Sequence, residues 1–72
     1  MTLFYKLAEN VGPGFIRWPE TFSDWHAAWK FAGRVAPQAV ARGDVVAEEM
    51  TANGRAGAVR VRLVGKSGET LA

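Results

Sequence analysis

The chain has one histidine, His26, and no cysteine, so nucleophiles, bases and soft metal ligands are scarce. On a helix, Lys30 lies one turn after His26, while Asp24 lies two residues before it and off to the side. There is no second imidazole to complete a metal site. Glu48 and Glu49 are adjacent and diverge in either a helix or a strand, so they do not converge on one ion. Ser23, Asp24 and His26, or Ser67 as nucleophile, match a hydrolytic triad by residue type only. Their spacing specifies no triad, and Ser23 and Asp24 have a sufficient role at a helix start. None of the seven acids shows a sign of pairing for acid–base work. The expectation is a protein that is not an enzyme and needs no metal or cofactor.

Two glycine-containing segments fail as phosphate cradles. Val11-Gly12-Pro13-Gly14 lacks the Gly-Lys-Ser/Thr ending and precedes a strand. Gly65-Lys66-Ser67-Gly68 lacks the upstream glycine and the following helix. Both read as hairpin turns. Arg42-Gly43-Asp44 matches an adhesion tripeptide by letters alone and carries no weight.

The cations are more informative. The net charge is +2, and four of the nine Lys and Arg (Arg55, Arg60, Arg62 and Lys66) follow residue 54 with one acid, Glu69. Asp44, Glu48 and Glu49 cluster just before them, so the chain is a weak charge dipole rather than uniformly basic.

The elements that must position these groups can be read from periodicity. Residues 2–9 suit a strand with Leu3, Tyr5 and Leu7 on one face and Phe4 and Lys6 on the other. Asn10 to Gly14 is turn chemistry, and Phe15 to Trp18 reads as a second strand that Pro19 ends or confines to an edge. Thr21 or Ser23 can cap a helix with Asp24 in its first turn. Trp25, Ala28, Trp29, Ala32 and Val35 or Ala36 form its apolar stripe, with His26, Lys30 and Arg34 opposite. Ala39, Val40, Gly43, Val46, Ala47 and Met50 fit a second helix from Pro37 capped at Asn53-Gly54, with Gly43 as a point where it can break. A turn at Gly43-Asp44 into a strand over 45–51 is the alternative, and the helix is favoured. Residues 58–64 alternate as a strand, and Glu69 to Ala72 returns as a short last one.

The fold class is therefore α+β. We expect a two-layer sandwich of an antiparallel sheet with one or two helices on one face, formed by a single small domain over residues 1–72. No apolar run approaches the roughly 20 residues of a membrane span. Lys6 and Glu9 break any signal-peptide pattern at the start, so a soluble, cytoplasmic protein is expected. The hairpin–helix–strand layout, with an aromatic first strand, an Ala-rich helix and a closing Gly68-Glu69-Thr70-Leu71 segment, resembles in architecture only several small bacterial and phage proteins. It lacks the aromatic-Gly-aromatic segments and strand order of an RNA-recognition fold.

Strand parity then yields a candidate surface. With Val59, Val61 and Leu63 facing the helices, Arg60 and Arg62 project from the open face beside Phe4, Lys6, Phe15 and Arg17. Trp18, near a strand end, is a candidate anchor. Rings interleaved with cations suit a protein partner rich in carboxylates, or alternatively the bases and phosphates of nucleic acid in weak, salt-sensitive binding. The expected function is an adaptor or inhibitor-like interaction module, with protein the favoured partner. The Pro19 edge or the Phe4/Phe15 pair offers a route to a homodimer.

Overall fold

A computed structural model describes residues 2–52 and 59–71. Four strands form one antiparallel sheet in the order β2-β1-β3-β4: β1 (Thr2–Asn10), β2 (Phe15–Phe22), β3 (Val45–Ala52) and β4 (Val59–Val64). Two helices, α1 (Trp25–Val35) and α2 (Pro37–Arg42), connect β2 to β3 and pack on one face, which gives the expected α+β layering. Among the described residues, no helix is long and apolar enough to cross a membrane.

The second helix is shorter than the 3.6-residue pattern suggests. Gly43 caps α2 in the left-handed region at φ 79°, where its N–H bonds back to Val40 O. The chain then extends, and β3 ladders along β1 from Glu9↔Val45 to Thr2↔Ala52. The strand prevails because it satisfies the backbone of β1, which would otherwise have one bare edge. Val45 and Ala47 also alternate inward, and this alternation coincides with part of the helical period. The expected Asn53-Gly54 cap lies outside the described residues, as do Ala58 and Ala72.

Pro19 does not end β2. The strand runs on to Phe22 through an irregularity opposite Leu7, between the pairs Lys6↔Thr21 and Ala8↔Arg17. Because β2 is an edge strand, the missing N–H of Pro19 takes no bond from the ladder. The offset lets both Trp18 and Phe22 face the helices, where they meet Phe31 at ring separations of 6.2 and 5.3 Å. The cap of α1 is Asp24 itself, rather than Thr21 or Ser23, and its carboxylate accepts from His26 N at 3.0 Å. The last strand reduces to a single bridge, Val64↔Thr70.

The core is small in its parts. Leu7 and Val64 are the largest side chains with no exposure, and around them lie Tyr5, Val45 and the alanines 28, 32, 39 and 47. Alanines let the helices approach the sheet closely, while half-buried Trp18, Trp25, Trp29 and Phe31 supply bulk at the rim. Trp29 Nε1 donates to Val64 O at 3.1 Å, which pins α1 over the end of β4.

Gly68 completes this packing. Its φ is +83°, and a Cβ built there would stand 2.8 Å from the Trp25 ring. Gly68→Ala should therefore lose about 1–2 kcal/mol in urea denaturation, from the backbone term together with ring displacement. Gly14→Ala, where a Cβ meets nothing within 4 Å, is the control. Equal losses in the two variants would refute this account.

Candidate interaction surface

The register assigns each strand residue to a face. Tyr5, Leu7, Ala47 and Val64 lie under the helices. The opposite face therefore carries Phe4, Lys6 and Ala8 of β1, Phe15 and Arg17 of β2, Val46, Glu48 and Met50 of β3, and Val59, Val61 and Leu63 of β4. Four of the candidate residues, Phe4, Lys6, Phe15 and Arg17, are thus brought together as expected. Trp18 is not with them, because it packs from the helix side against Phe31.

Arg60 and Arg62 are also on the other side, contrary to the sequence expectation. Val64, fully buried and tied to Trp29, sets the phase of β4, and two-residue steps back from it place 62 and 60 on the helix face. Val59, Val61 and Leu63 accordingly face the open side. Two arginines are tolerated on the helix face because α1 packs at the Leu7–Ala47–Val64 end, and the sheet continues past it. There Arg62 forms a two-pronged bond to Glu49, Nε to Oε1 at 2.5 Å and Nη2 to Oε2 at 2.8 Å, and also donates to Thr70 Oγ1. Tyr5 OH donates to the same carboxylate at 2.7 Å. The Arg62 hydrogen bonds hold the Glu49 carboxyl below the usual range, with Tyr5 adding to the effect against the opposing pull of burial. Burial first, then Glu49, pushes the Tyr5 phenol up to about 12.

The open face is more apolar and less basic than the sequence suggests. Arg17 Nε and Nη2 grip Glu48 Oε1 and Oε2 at 2.7 and 2.9 Å, and this pairing raises the guanidinium's own pKa. Glu48 stands two strands away from Arg17, so the side chain crosses β1 at Ala8. Ala8 is only 3% exposed although it belongs to the open face. A larger residue at 8 would obstruct that crossing. Lys6 Nζ donates to Pro19 O at 3.0 Å. Ala8, Phe15, Arg17, Val46, Glu48 and Leu63 line a shallow cleft of about 500 Å³.

Val46, Glu48, Met50, Val61 and Leu63 are absent from the expected surface because the sequence favours a helix over β3 and an inward phase for Val59, Val61 and Leu63. The signals present were the Val45-Val46 pair directly after Gly43, and the Leu63-Val64 doublet, which leaves the phase of β4 open. Among the described residues, no three of His, Asp and Glu gather as metal ligands.

Compared with protein-family models, with curated proteins and with solved structures, the chain finds no match.

Proposed function

We propose that the protein is a non-enzymatic interaction module, an adaptor or inhibitor, that binds a partner protein through the open face of its sheet. The observation that carries this reading is the band of Phe4, Phe15, Val46, Val61 and Leu63, which no described element covers. Phe15 and Val61 are each at least half exposed, and contiguous apolar patches of this kind mark interaction sites. The partner surface that fits is apolar with little charge at its centre. Arg17 and Glu48 already neutralise each other, so a carboxylate-rich partner finds only the Lys6 ammonium, itself donating to Pro19 O, without a carboxylate among the described residues of this face. The same pairing argues against phosphate recognition on this face.

The test is capture of binding proteins from the source cell with the wild type, with Phe15→Glu/Leu63→Glu and with Arg60→Ala/Arg62→Ala. The expected result is a partner lost in the first variant and retained in the second. A partner indifferent to the Phe15/Leu63 change would overturn the proposal. So would tight, salt-sensitive binding to mixed-sequence DNA or RNA that the arginine variant abolishes. Light scattering on the same proteins identifies a second copy as the occupant if mass doubles in the wild type and not in the Phe15/Leu63 variant.

A further inference from the structure

The helix layer holds a second cleft, of about 540 Å³, lined by His26, Trp29, Lys30 and Gly33 of α1, Val40 of α2, and Lys66 in the turn after β4. We propose that it binds a small organic anion with an apolar body, a site independent of the open sheet face. The cleft is shallow and open to solvent, so it would cover one face of a ligand rather than enclose it. The lining combines an apolar floor with polar groups from α1 and from the turn after β4. Trp29 and Val40 supply the floor, and the indole N–H is already committed to Val64 O, so the ring meets a ligand as apolar surface.

The charge arrangement indicates the ligand's sign. Lys30 and Lys66 reach the cleft from separate segments, and no described carboxylate lines it. Neither ammonium has a hydrogen-bond or ion-pair partner among the described residues, whereas Arg17, Arg42 and Arg62 each hold a carboxylate. Two like charges at one cleft repel, and an anion seated between them removes that repulsion. His26 adds an N–H donor in either protonation state. Two ammonium groups beside one apolar floor fit a compact anion better than the row of cations that tracks a nucleic-acid backbone.

Gly33 provides a test that does not depend on removing charge. A Cβ at this position meets nothing within 4 Å, so a side chain is accommodated and projects where the cleft lies. Gly33→Leu should fill the site while raising helix propensity.

The experiment titrates the isotope-labelled 72-residue chain with naphthoate and follows the Trp29 indole N–H and the amides of Lys30, Gly33 and Lys66 by NMR. Saturable shifts at these positions are expected. Affinity should fall by about tenfold or more in Lys30→Glu/Lys66→Glu and for the neutral probe naphthalenemethanol, and binding should vanish in Gly33→Leu. The proposal is overturned by absence of a saturable response, by equal affinity of the neutral probe, or by binding that survives both variants. Shifts confined to Phe15 and Val46 would place the probe on the open sheet face and overturn it too. Both lysines and Gly33 are exposed, so a native-like spectrum confirms that each variant is folded.

Discussion

Leu7→Ala should lower the unfolding free energy by about 3–4 kcal/mol, towards the upper part of the range for buried leucines. The side chain has no exposure and sits where β1, β3 and α1 meet. Its neighbours include Ala28, Ala32 and Ala47, which have no rotamers with which to fill the vacated space. Collapse would require α1 to move toward the sheet, and Trp29 is bonded to Val64 O in a way that resists this. A chain of 72 residues has on the order of 4–10 kcal/mol in total, so the variant should lose at least about a third of its stability. Urea denaturation checks this, with Ile16→Ala on the same strand pair as control, because Ile16 is 57% exposed. A Leu7 loss within about 1 kcal/mol of the Ile16 loss would show that the core repacks and that the alanine argument is wrong.

The features legible in the sequence were those fixed by local chemistry. The β1–β2 turn, the α1 stripe through Ala28 and Ala32, and the inward phase of Tyr5 and Leu7 all follow from spacing that admits one solution. The features that were not legible depend on a neighbour. Residues 45–52 satisfy either period, and only the need of β1 for a second partner settles them as strand. β4 reads equally well in both phases, because either Leu63 or Val64 can be the inward residue. The choice is fixed by the pairing with β3, which sets Val64 opposite the buried Ala47. That one-residue phase change decided the candidate surface. It moved Arg60 and Arg62 off the open face and moved Val61 and Leu63 onto it, turning an expected basic patch into an apolar band with one internal ion pair. Phe4, Lys6, Phe15 and Arg17 were placed correctly because β1 and β2 have unambiguous phase. The charge of Arg17 is paired with Glu48, which residue types alone do not reveal.

The same phase change produces a titration signature at Glu49. Its carboxyl is held low chiefly by Arg62, so this interaction stabilises the fold above the ordinary carboxylate range, at about pH 4, and is lost as pH falls below it. Glu49→Gln should weaken the Arg62 grip and leave the buried Tyr5 hydroxyl poorly matched. Some of that loss is screened, because Arg62 is about one-third exposed, with a side-chain value of 38%. We expect the variant to be less stable at neutral pH, with its stability falling less steeply than the wild type's between about pH 5 and 3. At the alkaline end the phenol offers a direct readout, because Tyr5 is the chain's only tyrosine and tyrosinate absorbance reports it alone. Its folded pKa of about 12 stands above the usual value of 10. The fold therefore keeps this contribution up to about pH 10 and loses it as pH rises towards 12. Glu49 contributes upward through both a hydrogen bond and its charge, so Glu49→Gln should move the midpoint of the absorbance titration down, while burial keeps it above 10. A midpoint that stays near 12 in the variant would mean that the negative charge of Glu49 does not hold the phenol up, because a glutamine carbonyl can still accept from the Tyr5 hydroxyl.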